Sequence, residues 1–360
     1  MKLKDVVREI RTTYKGDMTN VPIVGLEHII PCEITFEKYM IDSESTFSKV
    51  FKKGQVLFGR RRAYQHKAAI AHIDGICSGD IMVLEAIPDK IEPNLLPFII
   101  QNDDFFDYAI QHSEGGLSPR VKWSAIANYE FTLPSLSEQK LLADKLWAAY
   151  RVKESYKKLL AVTDDMLKAK FMEMFGEEKN ISLENIAITW SKGQSFSKND
   201  IVDEGKTPCI HYGQLYKYGY VINNVFSATN ASAKATSTMG DILFPASDVT
   251  PRGLTRCSCI DLDGVILGGD IIVMHPIEGI DSIYLSYAIN QQTNQLLQLV
   301  TGSVVRHMSA KSLKTVKVPL PPIPLQQQFV EIATQAEATK ESLRKSIENI
   351  DQVIKSLINQ

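Results

Sequence analysis

Two long stretches of the chain, 137–175 and 326–358, contain neither glycine nor proline and repeat apolar residues at intervals of seven. The second stretch is regular and contains Phe329, Ala336, Leu343, Ile350 and Leu357. In the first stretch, Lys153 interrupts a row that otherwise contains Leu146, Leu160 and Leu167. A repeat of seven is typical of helices that bury one apolar seam, so the pattern predicts two long helices.

The length of these helices favours pairing between them. At about 1.5 Å per residue, 137–175 and 326–358 would extend over roughly 58 and 50 Å, more than the width of a domain of about 130 residues. We therefore predict that the two helices pack against each other, and the sequence pattern allows either direction. The alternative is that each helix packs only on its own domain.

Elsewhere the apolar residues form short runs separated by glycine, asparagine, aspartate and proline, which is typical of strands and turns with some helix. A proline-containing hinge precedes each long stretch, at 133–137 and at 319–324. Because proline ends the preceding element and suits the first turn of a helix, each hinge is predicted to start a long helix. Ser135 and Glu138 fit a capping box at the first start.

The same order of segments occurs twice along the chain. Matching segments lie 186 to 190 positions apart, and they pair Val21-Pro22-Ile23-Val24 with Thr207-Pro208-Cys209-Ile210, Gly54–Phe58 with Gly240–Phe244, Gly79-Asp80-Ile81 with Gly269-Asp270-Ile271, Arg120 with Arg306, and Gln139 with Gln326. The chain is therefore predicted to contain two tandem copies of one unit.

This organisation predicts an α+β fold with two homologous mixed α/β domains. We place the first domain at 1–133, a helical spacer at 134–176, the second domain at 177–320 and a second helical spacer at 321–360.

Composition limits the class of protein. The chain has 360 residues, of which 44% are hydrophobic, as in ordinary globular proteins. No apolar run approaches the roughly 18 residues of a membrane span, and the N-terminal residues lead into no apolar signal region, so a cytoplasmic protein without membrane contact is expected. Five cysteines without a C-x-x-C pair argue against disulfides and a zinc ribbon, and Cys257 and Cys259 are interpreted as strand residues.

Motifs for catalysis are missing from the sequence. There is no P-loop, no signature of an adenine methyltransferase, no H-E-x-x-H zinc motif and no G-x-S-x-G elbow. We therefore predict no catalytic residue, no metal and no cofactor. A nuclease site built from scattered carboxylates is left as an alternative.

Local clusters of basic residues carry the candidate chemistry, because the net charge of −2 argues against a general polyanion binder. No acidic residue occurs between Ser45 and His72, whereas seven basic residues accumulate there. Arginine side chains at a strand end could contact DNA phosphates or guanine edges, and a solvated loop is the alternative. The DNA-binding candidates of the first domain are Lys52, Lys53, Arg60, Arg61, Arg62, Lys67 and Arg120.

The matching loop of the second copy, 245–256, has the same position but different chemistry. Two homologous domains that carry different loops could recognise two different DNA sequences. The candidates here are His211, Tyr212, Arg252, Arg256 and Arg306. Tyr212 could equally pack on its own sheet, and Arg120 and Arg306 could equally be structural.

With its internal repeat, its two long helices and its lack of catalytic motifs, the chain resembles the specificity subunit of type I restriction-modification systems. The resemblance covers essentially all 360 residues. It rests on a strand ending in Leu-Pro followed by Gln139 or Gln326 at the start of a long helix, on the opening segment Val21–Ile29, and on the repeated segments Gly54–Phe58 and Gly240–Phe244.

The resemblance implies two target-recognition domains joined by two antiparallel coiled-coil helices with pseudo-two-fold symmetry. It also implies that each domain reads one half of a bipartite site in double-stranded DNA and that the helices fix the gap between the half-sites. The implied partners are two methyltransferase subunits and ATP-dependent restriction subunits, and the specificity subunit itself has no catalytic centre.

The second copy departs from the first at its helix start, where Pro324-Leu325 replaces Ser137-Glu138 and the capping box is lost. Phe171–Gly176 also has no counterpart after the second helix, so methyltransferase docking is expected to differ between the two ends. Two other functions remain open on sequence alone: the recognition subunit of a type IIB system, and a coiled-coil scaffold with tandem protein-binding domains.

Overall fold

The computed structural model describes residues 1–42, 44–196, 198–202 and 204–359. These residues fall into two compact units, Met1–Lys158 with Leu343–Gln360, and Leu159–Ser342. Both boundaries lie inside long helices, so each unit contains part of each helix.

The first unit contains short strands and helices followed by one long helix. Its strands are β1 Val7–Ile10, β2 Ile23–Val24, β3 Lys49–Phe51, β4 Val56–Gly59, β5 Ala68–Ile70, β6 Gly75–Cys77, β7 Ile81–Ala86, β8 Ser113–Glu114 and β9 Arg120–Val121. Its helices are α1 Leu96–Ile100, α2 Asp103–Gln111, α3 Trp123–Ile126, the N-terminal part of α4 Leu136–Phe175 and the C-terminal part of α8 Ile323–Ile358.

A four-stranded antiparallel sheet, ordered β1-β7-β4-β5, lies at the centre of the first unit. Side chains alternate across it, as they must in a strand. Val56 and Phe58 face the core that the helices complete, whereas Leu57 faces the core shared with the smaller sheet β2-β6-β3. The central sheet is therefore buried on both faces, which explains the uninterrupted apolar run at 56–58.

The second unit contains the same kinds of secondary-structure element as the first. Its strands are β10 Asn180–Ser182, β11 Ala187–Lys192, β12 Ile201–Val202, β13 Thr207–Ile210, β14 Val221–Ile222, β15 Ala228–Thr229, β16 Ile242–Pro245, β17 Ser247–Asp248, β18 Ser258–Ile260, β19 Ile266–Leu267, β20 Ile271–Pro276, β21 Arg306–His307 and β22 Lys317–Pro319. Its helices are α5 Ser282–Asn290, α6 Thr293–Gln298, α7 Ala310–Leu313, the C-terminal part of α4, and the N-terminal part of α8 Ile323–Ile358.

The internal repeat predicted from sequence is present in the topology of the second unit. Its central sheet is ordered β11-β20-β16-β18-β14, and the first four strands of this order correspond to β1-β7-β4-β5. Ile242 and Phe244 face the helical core while Leu243 faces the second core, the same alternation as at 56–58. Cys259 lies in β18, and both Cys257 and Cys259 are buried.

The long helices predicted after the two hinges are confirmed as α4 and α8. At the start of α4 the hydroxyl oxygen of Ser135 accepts the Glu138 N–H at 3.4 Å, and the Glu138 carboxylate accepts the Ser135 N–H at 2.9 Å, so the predicted capping box forms. Pro324 lies in the first turn of α8, where a missing N–H costs no helical hydrogen bond.

Within each unit the two helices pair, and the direction that sequence left open is antiparallel. In the first unit Lys153 of α4 meets Asp351 of α8 at 2.7 Å, with Tyr150 and Ile354 in the core beside them. In the second unit Asp164 meets Lys340 at 2.6 Å, and further on the rings of Phe171 and Phe329 are 5.4 Å apart. Residue numbers rise along one helix as they fall along the other, as the family resemblance implied.

These two ion pairs are equivalent in the repeat, since Lys340 and Asp351 each lie 187 positions after Lys153 and Asp164. Both lysine side chains are nearly buried, with 9% and 6% of their surface exposed. Lys153, which interrupts the heptad row in the sequence, therefore has a partner. Lys340 also pairs with Glu337 of its own helix at 2.7 Å, whereas the partner given for Lys153 among the described residues lies on the other helix. The buried charge of Lys153 therefore favours one register and direction of pairing.

A buried glutamine fixes the start of each long helix to the domain before it. Gln139 donates to the carbonyl of Pro134 at 2.9 Å and accepts the N–H of Glu92 at 2.9 Å. Gln326 repeats both bonds, to the carbonyl of Pro321 at 2.7 Å and from the N–H of Asp281 at 2.9 Å. The glutamine shared by the two hinges is thus a structural clamp.

The boundaries of the compact units lie at other positions than those of the sequence-based division. Both long helices contribute apolar residues to the core of each unit, and the assignment of 134–176 and 321–360 as helical spacers stays a prediction. The assignment of 1–133 and 177–320 as target-recognition domains stays a prediction. Among the described residues, no helix is long and apolar enough to cross a membrane.

The pairing of Lys153 with Asp351 predicts a charge-reversal experiment. Lys153→Asp should lower the free energy of unfolding by about 1–3 kcal/mol, because it sets two carboxylates against each other beside the core. Adding Asp351→Lys should restore most of the loss. Urea unfolding of the full chain measures both effects, and Lys158→Asp, on the exposed face of α4, should cost less than about 0.5 kcal/mol. A double variant no more stable than the single one would contradict a specific pair.

Candidate nucleic-acid interface

Arg60, Arg61 and Arg62, here called the arginine turn, follow directly after β4, as the sequence predicted. The Arg60 N–H donates to the carbonyl of Asp80 at 2.9 Å, and the Arg60 carbonyl accepts the Val121 N–H at 3.0 Å. The Arg62 N–H donates to the carbonyl of Pro119 at 2.8 Å. The backbone of the turn is therefore held between two neighbouring segments, and its side chains start from fixed positions.

Asp80 organises two of the predicted arginines. Its carboxylate accepts from Arg120 Nε at 2.7 Å and from Arg61 Nη1 at 3.4 Å, and Arg61 Nε also donates to Ser118 Oγ at 2.7 Å. Burial alone would raise the pKa of Asp80, but the hydrogen bond and charge of Arg120, together with Arg61, hold that pKa below its usual value. Arg61 and Arg120 are thus brought together around one carboxylate.

Arg60 and Arg62 have unused hydrogen-bonding capacity. In each, Nε is buried and has no hydrogen-bond partner among the described residues. Arg62 also has a left-handed backbone with a φ of 55°, a conformation that costs a non-glycine residue about 1 kcal/mol or more. Unsatisfied donors and a strained backbone in one short turn are typical of a surface that completes its bonding with a ligand.

The structure divides the basic run of the first domain into separate places. Lys52 and Lys53 lie in the turn before β4 and the arginine turn lies after it, so a strand of about 13 Å separates them. Lys52 pairs with Asp74 at 2.9 Å, and the Lys53 N–H donates to the same carboxylate at 2.8 Å. The extended strand therefore places Lys52 and Lys53 at the opposite end of β4 from the arginine turn, and the assignment of both groups to DNA stays a prediction.

Lys67 has a further position of its own. Its Nζ donates to the carbonyl of Leu26 at 2.6 Å, and its side chain is half-buried. This bond ties β5 to the loop after β2.

In the second unit, His211 and Tyr212 begin a 3₁₀ turn, Tyr212–Lys217. The Nδ1 atom of His211 accepts the Gly213 N–H at 3.3 Å, and the two aromatic rings are 4.5 Å apart in a tilted arrangement. Burial, together with the nearby charge of Lys198, lowers the pKa of His211. A half-buried ring beside a tyrosine provides a surface on which a base could stack.

The three arginines predicted in the second unit are used differently. Arg252 is exposed in the 3₁₀ turn Pro251–Leu254. Arg256 donates to the carbonyls of Tyr216 and Tyr218, and its guanidinium lies 5.7 Å from the ring centre of Tyr216. Burial lowers the pKa of Arg256. These contacts join Arg256 to the aromatic turn, and its assignment to DNA stays a prediction.

The guanidinium group of Arg306 donates a hydrogen bond to the carbonyl of Gly302 in the same loop. It lies opposite Asp248 in the β17–β21 pair. Its Nε is buried without a partner among the described residues, as in Arg60 and Arg62. The matched arginines Arg120 and Arg306 therefore sit on equivalent elements but bind different acceptors.

The Gly-Asp turn is the common frame of both surfaces, and sequence reasoning identified it as a repeat without recognising its role. Asp270 accepts the Ala246 N–H through its carbonyl, as Asp80 accepts that of Arg60. Its carboxylate accepts from Ser247 Oγ at 3.2 Å, where Asp80 binds arginines. The signal that could have found Asp80 is the repetition of Gly79-Asp80 at Gly269-Asp270. In the described part of the chain, no three His, Cys, Asp or Glu side chains are grouped to hold a metal.

Comparison with known proteins agrees with the repeat. The model of the type I restriction modification DNA specificity domain matches this chain twice, over residues 15–162 and 177–352. The putative type I restriction enzyme MjaX specificity subunit of Methanocaldococcus jannaschii is 21% identical over 398 aligned residues, which cover 99% of this chain and 91% of that protein.

Two solved structures share the fold over nearly the whole chain. The crystal structure of a type I restriction-modification S subunit from M. genitalium has a TM-score of 0.59 at 13% identity, covering 99% of this chain and 94% of that one. A chain in a structure concerned with complex assembly and conformational transition of the type I R-M system has a TM-score of 0.58 at 18% identity, covering 100% and 96%.

The charge of Asp80 predicts a pH-dependent stability. Because the pKa of Asp80 is lowered by folding, its contribution is present above the unfolded pKa and is lost as pH falls through the folded pKa. Asp80→Asn should therefore lower the free energy of unfolding by about 1–2 kcal/mol at pH 7, and the difference from wild type should shrink as the medium is acidified. Urea unfolding at a series of pH values measures this difference.

Asp270→Asn is the matched control, and its effect should be smaller because Asp270 binds a hydroxyl. A deficit of Asp80→Asn that stays constant down to acid pH would show that the carboxylate charge is not its cause.

Proposed function

Because the chain belongs to the family of type I restriction modification DNA specificity domains and is a specificity subunit of that type, we propose that each repeat reads one half of a bipartite DNA site. One observation carries this proposal. Two homologous units present different side chains from equivalent loops: Arg60–Arg62 follow β4 in one, and Ala246-Ser247-Asp248 follow β16 in the other. Two domains that share a fold but differ in their contact residues are suited to recognise two different DNA sequences.

In the first domain the direct contacts are assigned to the arginine turn and Arg120. Arg61 and Arg120 are pre-positioned by Asp80, and Arg60 and Arg62 have a buried Nε that is unpartnered among the described residues. Guanidinium groups bind phosphate or fork onto a guanine edge. Lys52 and Lys53 lie at the other end of β4 and are assigned to backbone contact only.

In the second domain, exposed Arg252 and the ring pair His211–Tyr212 are assigned to DNA. Arg256 acts from behind this surface by holding the carbonyls of Tyr216 and Tyr218. Arg306, with its buried Nε, is assigned to the DNA backbone as the counterpart of Arg120.

The paired helices are proposed to set the gap between half-sites. With 40 and 36 residues, α4 and α8 extend over about 60 and 54 Å, which corresponds to more than ten base pairs. The ion pairs Lys153–Asp351 and Lys340–Asp164 fix the register of the two helices within each unit, so a fixed gap would follow from a fixed register.

The chain is proposed to have no catalytic centre and to direct two methyltransferase subunits and ATP-dependent restriction subunits to the DNA. The family match and both solved relatives favour this reading over a type IIB recognition subunit and over a protein-binding scaffold. The scaffold alternative predicts no sequence-selective DNA binding. A specificity subunit instead predicts affinity that falls steeply with salt, since each phosphate contact releases counterions.

A domain exchange tests whether each repeat recognises its own half-site. When residues 1–133 are replaced by the corresponding domain of another specificity subunit, one half-site should change and the other should stay the same. Mapping methylated adenines in cells that express the chain with its methyltransferase gives both half-sites at once. Changes in both halves, or in neither, would contradict independent reading by the two repeats.

A matched insertion tests the spacing. Seven helical residues added after Lys158 in α4 and seven after Arg344 in α8 keep the heptad phase and both ion pairs, and lengthen each helix by about 10.5 Å. The same mapping should show a gap longer by about three base pairs and unchanged half-sites. Seven residues in α4 alone put the seam out of register and serve as the control that should lose activity. Altered half-sites in the matched variant would contradict the spacing role.

A further inference from the structure

A cavity of about 370 Å³ lies in the first unit beside the proposed DNA-contact surface. Arg11 reaches it from the end of β1 and Lys49 from the start of β3. The other lining residues are three that carry hydroxyl groups, one aromatic residue and one glycine: Thr13, Thr46, Ser48, Phe47 and Gly79. Two cations and three hydroxyls are a donor set that suits an oxyanion.

Positive charge is concentrated at this cavity. Arg11 pairs with Glu9 at 2.6 Å, and Lys49 Nζ donates to the carbonyl of Ile81, which leaves the charge of Lys49 without a carboxylate in direct contact among the described residues. Burial lowers the pKa of Lys49, Cys77 and the carboxylate of Glu9 act in the opposite direction, and the charges of Arg60 and Arg11 lower the pKa further. A half-buried ammonium group among other cations is stabilised when an anion joins them.

The cavity adjoins the residue that holds the arginine turn in place. Gly79 lines the cavity, and the next residue, Asp80, holds Arg61 and Arg120 through its carboxylate. The carbonyl of Asp80 also accepts the Arg60 N–H at 2.9 Å. A group bound in the cavity would therefore lie one residue away from the turn that fixes three of the arginines.

The second unit has different residues at the position equivalent to this cavity. The position equivalent to Lys49, 186 residues later, is Ala235. Gln194 occupies the space beside it and accepts the N–H groups of Lys234 and Ala235, at 2.6 and 2.9 Å. The lysine is absent there and the neighbouring backbone donors are already bonded, so the feature belongs to the first repeat alone.

We propose that this cavity binds one phosphate of the DNA backbone, with Arg11 and Lys49 as its cationic ligands and the hydroxyls of Thr46 and Ser48 as further donors. The phosphate sets the register of the first domain on the duplex, so that the arginine turn meets the base edges. This assignment rests on the proposed function, since it presumes that the chain binds DNA, and it adds a contact that the second domain lacks.

The test uses the full chain in complex with its methyltransferase and a duplex that carries the site mapped from methylation. Lys49→Gln should weaken binding about tenfold at moderate salt. It should also reduce the slope of log affinity against log salt by about 0.9, the value for one phosphate. The methylated sequence should not change, because a phosphate contact carries no sequence information.

Lys49→Arg keeps the charge and should retain most of the slope, and Lys90→Gln, an equal loss of charge at an exposed loop away from the cavity, should leave affinity and slope unchanged. Arg11→Gln should lower the slope independently of Lys49, which keeps the test valid if Lys49→Gln folds poorly. Urea unfolding identifies that case.

Unchanged affinity and slope in both Lys49→Gln and Arg11→Gln, with the wild-type complex still selecting its site, would overturn the phosphate assignment and leave the proposed function intact. A change in the methylated half-site would also overturn it, because the cavity would then read bases. Failure of the wild-type complex to select any site would instead overturn the proposed function.

Discussion

The packing of both long helices into the core of each unit is the constraint on which the rest of the structure depends. In the first unit Leu146 and Tyr150 of α4 and Ile354 of α8 are part of the same core as the central sheet. In the second unit Phe171 and Phe329 have that role. The helices cannot slide or turn without opening the core of a domain, and the nearly buried Lys153 adds a charge whose partner, Asp351, lies on the other helix.

Rigid attachment at the hinges explains how the contact loops can differ while the frame stays the same. Gln139 and Gln326 make equivalent bonds to the hinge carbonyl and to the domain before it. The loops after β4 and β16 anchor themselves through a few buried residues, Ala63 in the first and Ala246 and Leu254 in the second, and their remaining polar positions differ between the repeats without loss of these anchors. In the first repeat these positions form an arginine turn held by Asp80, and in the second a Ser-Asp segment beside an aromatic turn.

Much of the fold was accessible from sequence because it rests on local and periodic patterns. The seven-residue repeat predicted α4 and α8, the Ser135–Glu138 spacing predicted the first cap, and the offset of 186 positions predicted two copies. The candidate site was less accessible, because its order comes from residues distant in sequence. Asp80 meets Arg61 and Arg120 across 19 and 40 positions, and Lys153 meets Asp351 across 198.

The sequence by itself determined that two homologous domains alternate with two long helices, since helical periodicity and repetition are properties of neighbouring residues along the chain. Only the tertiary structure decided the antiparallel direction of pairing, the separation of Lys52 and Lys53 from the arginine turn, and the hydrogen bonds of Arg256 to the carbonyls of Tyr216 and Tyr218. Each of these depends on which distant groups meet across the fold, and a linear pattern of charges and apolar residues does not contain that information.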